Sequence, residues 1–198
     1  LLPGIRRRHL EYGDSNFPFA QAHADFVANT VKPLIDARFR TNPSPQNTFA
    51  IGSSLGGQAS LHLMLRHSQL FGGAACLSPA FGPTLIQEVA RSSALKDKCI
   101  YLDIGGDLND VTVPWLDLLD HLTPEHWWNP GYFWLDTQLQ SGVESMKRAL
   151  DKAGVSYHYQ EFPGGRHNER AWAQRVHIPL LHLFGTKEGR EAALQDDA

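Results

Sequence analysis

An α/β fold built on a mostly parallel sheet is predicted by three features of the sequence. Short apolar runs with strand character alternate with segments of helical periodicity, the pattern of βαβ units. At Phe49-Ala50-Ile51-Gly52-Ser53-Ser54-Leu55-Gly56-Gly57 a strand, a tight turn and a helix follow one another directly. The 198 residues, 42% of them hydrophobic, suffice for one sizeable core in a single domain over 1–198. A net charge of −3 gives no basis for nucleic-acid binding or for attraction to an anionic membrane. Arg6-Arg7-Arg8 reads as a solvated basic patch.

Residues 1 to 18 carry Pro3, Gly4, Gly13, Asp14, Ser15, Asn16 and Pro18 and read as irregular. From about Phe19 to Arg40, Phe26, Val27, Val31, Leu34, Ile35 and Phe39 recur at helical spacing, giving an amphipathic helix with a bend or restart at Pro33. Thr41-Asn42-Pro43-Ser44-Pro45 ends it and leads into the strand at Phe49-Ala50-Ile51. Leu55, Ala59, Leu61, Leu63 and Leu65 supply the packed face of the helix that follows. Phe71-Gly72-Gly73-Ala74-Ala75-Cys76-Leu77 is the next strand, closed by Ser78-Pro79, with a short helix around Leu85 to Val89. Cys99-Ile100-Tyr101-Leu102-Asp103-Ile104 is the third, ended by Gly105-Gly106-Asp107.

Residues 108 to 134 are rich in Trp and Pro and lack periodicity, so they read as a lid or insertion. Trp115, Trp127, Trp128 and Trp134 either pack there or line an acyl pocket. Leu135, Leu139, Val143, Met146 and Leu150 step by three or four through a helix that Gly154 can terminate. Val155 to Phe162 alternates as a strand, and Pro163-Gly164-Gly165 breaks it. A last helix runs from about Arg170 to Phe184, broken before Pro179, and Glu188 to Ala198 is a charged tail. The two cysteines, Cys76 and Cys99, sit in apolar runs and are expected as buried free thiols, which leaves the compartment unfixed. No apolar stretch is long enough to span a bilayer, and the order of the first eight residues is wrong for a secretory signal. The expectation is a soluble, cytoplasmic chain.

Gly52-x-Ser54-x-Gly56 matches the nucleophile-elbow pattern. A serine on so sharp a turn is strained, and glycines two residues to either side are expected to relieve the crowding of strand against helix. The turn aims the first helical amides at the space above Ser54, with the Leu55 N–H as the first oxyanion donor. Ser54 needs a base, and the base needs an acid. Among ten histidines, His167 lies on a glycine-rich loop directly after a predicted parallel strand, where open α/β sheets bind ligands. His62, His67, His177 and His182 fall on helices and read as packing or solvent-facing. In the order Ser, acid, His the preferred acid is Asp107, at the end of the third strand, ahead of Asp110. Asp103 inside the strand reads as structural, and Asp136 and Glu169 are weaker candidates. Hydroxyl and imidazole are expected together on one rim of the sheet, with the imidazole open rather than sealed inside.

Ile51-Gly52-Ser53-Ser54-Leu55-Gly56-Gly57, Leu77-Ser78-Pro79-Ala80-Phe81, Tyr101-Leu102-Asp103-Ile104-Gly105 and Gly164-Gly165-Arg166-His167-Asn168-Glu169-Arg170-Ala171-Trp172 together resemble the esterase D, enterochelin esterase and antigen 85 group of α/β-hydrolases. The resemblance runs from about Phe19 to Phe184, and its His-Asn-Glu-x-x-Trp segment is more specific than the elbow. It implies a three-layer fold and a serine carboxylesterase with Ser54 as nucleophile and His167 as base, needing neither cofactor nor metal. Family members carry several strands before the elbow, including the loop that supplies a second oxyanion donor, whereas only 53 residues precede Ser54 here. The expectation is an α/β-hydrolase domain lacking its N-terminal strands, either a fragment or a shortened form. Loss of one oxyanion donor costs about a hundredfold to a thousandfold in turnover. An exposed sheet edge would favour association with a second copy.

A small-molecule ester is therefore the expected partner. Acyl transfer is the close alternative on the same fold, and a non-catalytic hydrolase-like binding module is the alternative from another class. A metal-dependent hydrolase ranks last, because the sequence holds no H-E-x-x-H or comparable ligand cluster.

Overall fold

Small and apolar side chains in four short runs build the centre of the molecule. In the computed structural model, which describes residues 7 to 106 and 135 to 186, those runs form strands β1 (Phe49–Ser53), β2 (Gly73–Leu77), β3 (Cys99–Gly105) and β4 (His158–Phe162). They pair in parallel in sequence order, β1-β2-β3-β4. Ala50, Ala74 and Ile100 lie side by side, as do Ser53, Leu77 and Asp103. β2 is buried along its whole length, as expected of a central strand covered on both faces. β1 lies at an edge of the described sheet, with Ile51 42% exposed.

The helices, in chain order, are α1 (Arg8–Glu11), α2 (Pro18–Phe26), α3 (Lys32–Arg38), α4 (Leu55–Arg66), α5 (Pro83–Val89), α6 (Leu135–Ala153), α7 (Glu169–Arg175) and α8 (His177–Phe184). Alternate strand residues face opposite sides, so the sheet acquires two cores. On one side Ala50, Ala74, Cys76, Ile100, Leu102 and Ile104 pack against Leu61 and Met64 of α4, Leu85 and Val89 of α5, and Val143, Met146 and Leu150 of α6. On the other, Ala75, Leu77 and Tyr101 meet Trp172 of α7 and Ile178 and Leu183 of α8. The result is the expected α/β architecture of three layers, helix on sheet on helix.

Local details follow from particular residues. The bend expected at Pro33 is a wide π turn at Val27–Val31 joining α2 to α3, which accommodates the donor that Pro33 lacks. The last helix is broken at Val176, three residues before Pro179, because proline cannot donate to the Arg175 carbonyl. Gly154 ends α6 with φ +67. The stretch expected to be irregular contains the short helix α1, and Asp14, between α1 and α2, accepts from the Thr84 and Leu85 amides at 2.8 and 2.9 Å, fastening this segment to the first turn of α5. Partial burial works against its charge, but those backbone donors prevail and hold its carboxyl below the usual value. Cys76 is buried and Cys99 half-buried, both as thiols, and burial pushes the Cys76 thiol up. No described helix is long and apolar enough to cross a membrane.

Candidate active site

The turn between β1 and α4 places Ser54 at φ 56 and ψ −126, a left-handed backbone that a non-glycine residue holds only under constraint. The constraint comes from the end of β2. The Ser54 amide donates to Leu77 O at 2.9 Å, and Ser54 O accepts from the Ala80 amide at 3.1 Å. Gly52 is required, because a Cβ there would strike the carbonyl of Gly56. Gly56 differs from expectation: a Cβ on it would meet nothing within 4 Å. The second close approach belongs instead to Gly57, whose Cβ would lie 3.0 Å from Pro79 and 3.3 Å from the Cys76 Cα. Leu55 is the first residue of α4, where an amide has no intrahelical acceptor.

After β4 the chain turns at Pro163-Gly164, with Gly164 at φ +75 and the Gly165 amide bonded to Phe162 O at 2.8 Å. His167 then projects toward the elbow. Asn168 caps α7 by accepting from the Ala171 amide at 2.9 Å, and the Trp172 ring stands edge-on to the imidazole with centroids 4.9 Å apart. The His-Asn-Glu-x-x-Trp segment thus reads physically as imidazole, helix cap, first-turn acid and packing wall.

His167 Nε2 lies 2.8 Å from Ser54 Oγ, and Nδ1 lies 2.7 Å from Asp136 Oδ1. The hydroxyl and imidazole expected together are brought together. Contrary to expectation the imidazole is enclosed, only 1% exposed, whereas Ser54 is half-buried and offers its hydroxyl to the rim. The carboxylate on Nδ1 comes from the second residue of α6, ranked low in the sequence. Asp107, the preferred acid, and Asp110 lie outside the described residues, as does the 108–134 segment. Glu169 is exposed on the first turn of α7. The signal for Asp136 was the glycine pair ending β3: a Cβ at Gly105 would run into the Asp136 carboxylate, and one at Gly106 would sit 2.9 Å from Thr137 Oγ1.

A second layer lies behind this line. Asp136 Oδ2 accepts from Ser78 Oγ at 3.1 Å, and Ser78, at φ 40, donates its amide to Asp103 Oδ1 at 2.9 Å. Arg175 Nη2 donates to Ser78 Oγ at 2.6 Å and to Asp103 Oδ1 at 3.1 Å. Tyr101 Oη donates to Asp103 Oδ2 at 3.2 Å. Burial pushes the Asp103 carboxyl up to about 6 against the pull of Arg175, with the charge of Asp136 adding to the rise. Asp103 is therefore structural, as expected, but as the anchor of a polar network.

The other histidines keep their packing roles. His62 is buried, and its desolvation lowers its affinity for a proton. His67 pairs with Asp25, His182 packs among Tyr101 and His158, and His177 is exposed. Among the described residues no group of three or more His, Cys, Asp or Glu side chains is arranged to hold a metal.

Comparison with known proteins finds esterases of similar fold. The enterobactin esterase FES from Shigella flexneri, solved in the presence of enterobactin, superposes with a TM-score of 0.62 at 17% identity, covering 92% of this chain and 40% of its own. The enterobactin and salmochelin hydrolase IroE gives 0.61 at 15% identity, covering 92% of this chain and 65% of its own. A ferulic acid esterase gives 0.60 at 14%, covering 81% and 60%. At such identities the likeness is one of fold, and the chain spans only part of each of these proteins. No curated protein sequence matches the chain significantly. The family model described as Putative esterase matches residues 7–182, which takes in Ser54, Asp136 and His167 alike. On that match, and on a parallel sheet whose rim joins an elbow serine to a loop histidine, the chain belongs to the Putative esterase family of α/β-hydrolase folds.

Proposed function

We propose that the protein is a serine carboxylesterase acting on a small-molecule carboxylic ester through an acyl-enzyme. The observation that carries this reading is the continuous line from Ser54 Oγ to His167 Nε2, at 2.8 Å, and from His167 Nδ1 to Asp136 Oδ1, at 2.7 Å. Family membership and the esterases of like fold support it.

In the first half-reaction Ser54 Oγ attacks the acyl carbon while Nε2 of His167 takes its proton. Asp136 accepts from Nδ1–H, fixing the tautomer that leaves Nε2 free and favouring the imidazolium as it forms. The carbonyl oxygen becomes an oxyanion facing the Leu55 amide at the head of α4. The imidazolium then protonates the departing alcohol, and water activated by the same nitrogen releases the acid. The acid role goes here to Asp136 in preference to Asp107, because its carboxylate is at hydrogen-bond distance from Nδ1.

A fluorophosphonate probe tests the reading. Wild-type protein should be labelled, and Ser54→Ala should abolish labelling. A folded wild type that takes no label would make it a non-catalytic member of the fold. Partition of the acyl group between water and an added alcohol separates hydrolysis from transfer.

A further inference from the structure

Two carboxylates, Asp103 and Asp136, are buried close enough for the charge of Asp136 to act on Asp103. Like charges in such a place do not both stay ionised without a counter-charge. Arg175, the last residue of α7 and itself 4% exposed, bonds Asp103 directly and is linked to Asp136 through Ser78. We propose that Arg175 is a positioning residue which, through Ser78, holds the Asp136 carboxylate in place and aimed at His167. The inference rests on the esterase reading and goes beyond it.

Hydrogen-bond arithmetic at Ser78 carries the argument. A guanidinium only donates, so the Ser78 oxygen, 2.6 Å from Arg175 Nη2, must accept there. Its single proton is thereby left for Asp136 Oδ2 at 3.1 Å. That bond occupies one carboxylate oxygen and leaves Oδ1 for Nδ1 of His167. Ser78 is held in its left-handed backbone by the hydrogen bond its N–H donates to Asp103 Oδ1, the atom that also accepts from Arg175. The guanidinium further lies over the Phe162 ring, 4.8 Å from its centroid, at the strand end that leads to His167. A Cβ on Gly165 of that loop would come within 3.0 Å of Arg175 Nη1. One side chain thus braces both the acid and the base.

The titratable groups facing this cluster are Asp103 and Tyr101 on β3, Asp136 on α6 and His167 before α7. Cys76 on β2 and Tyr159 on β4 also feel Asp103, but burial pushes both upward, so they stay neutral over the working range. Arg166 is buried in the loop, and Glu169 and Arg170 are exposed at the start of α7. Removing the charge of Arg175 takes away the cation bonded to Asp103 and Ser78 and leaves the buried carboxylates beside the reacting groups without it. The acidic limb of the reaction rate must then move to higher pH.

The test is the rate of Ser54 labelling by fluorophosphonate across about pH 5 to 9, the span in which such bases titrate. Arg175→Met should slow labelling roughly tenfold to a hundredfold, the cost of a small misplacement of reacting groups, and shift the acidic limb upward. Arg175→Lys should bring the limb back. Ser78→Gly, which tolerates the positive φ but lacks the hydroxyl, should slow labelling with the Arg175–Asp103 pair intact. A wild-type limb in folded Arg175→Met, whatever its thermal stability, overturns the inference. If that variant does not fold, a wild-type labelling rate in Ser78→Gly overturns it as well. An unlabelled wild type removes the esterase reading and this inference together, whereas a labelled wild type with unaffected variants removes this inference alone.

Discussion

Two histidine–aspartate pairs among the described residues have nearly the same length, and their surroundings separate them. His167 and Asp136 meet at 2.7 Å with side chains 1% and 2% exposed, whereas His67 and Asp25 meet at 2.9 Å with side chains 11% and 40% exposed. At the first pair the free ring nitrogen faces a serine hydroxyl, and the far carboxylate oxygen is held by another hydroxyl. At the second, both carboxylate oxygens are taken by Arg66, at 2.6 and 2.9 Å. Hydrogen bonds from Arg66 and His67 outweigh a small desolvation and hold the Asp25 carboxyl down to about 2. Water and salt compete for that surface cluster, which ties α2 to the end of α4. An imidazole beside a carboxylate is thus not a signature by itself. Enclosure and the groups at the two outer ends decide what it can do.

The contrast breaks most visibly at the hydroxyl end. Ser54→Ala and His167→Ala should each abolish ester hydrolysis, Ser54→Ala with circular dichroism and the unfolding midpoint near wild type; turnover surviving in either folded variant would erase the distinction. Asp136→Asn should lower kcat about ten-thousandfold, the effect of forcing the wrong tautomer, with Asp107→Asn close to wild type. The reverse ranking would return the acid to Asp107.

The two regions should also respond to pH with opposite signs. Asp25, held at about 2 against an ordinary 3.8, contributes stability that is present above about 3.8 and lost as pH falls toward 2. Asp103, raised to about 6, binds its proton more tightly folded than unfolded, so its contribution declines as pH rises from about 3.8 to 6 and is level beyond. Urea unfolding at several pH values should show the first slope vanish in Asp25→Asn and the second in Asp103→Asn. The smallest effect belongs to Asp25→Asn at neutral pH, a loss of about 0.2 to 1 kcal/mol with unchanged turnover.

Ser54 and His167 are legible in the sequence because their signals are local. Glycine spacing marks the one turn, and a strand followed by Pro-Gly-Gly marks the other. Asp136 is not legible in the same way, since it follows a long aperiodic stretch and sits among ordinary helix residues. Its trace lies in other residues, Gly105 and Gly106, which read as a strand end but also clear the volume that its carboxylate occupies. The Arg175–Asp103 contact spans 72 positions, and no spacing rule pairs a strand aspartate with a helix arginine so far away. The demand for glycine at 57 rather than 56 was hidden for the same reason, because the nearest atoms it avoids, on Pro79 and Cys76, lie some twenty positions away at the end of the next strand and just beyond it.

The order of the strands also sets when reactivity can appear. Ser54 and His167 are 113 positions apart, joined through successive parallel pairings that each close a long loop before bringing any contact. On the proposed mechanism, a chain that has folded only through β3 holds the Ser54 hydroxyl without the His167 imidazole beside it and should not react with a fluorophosphonate. Covalent capture during refolding or synthesis would therefore act as a clock for the docking of β4, dating the final assembly step from the moment each molecule first reacts.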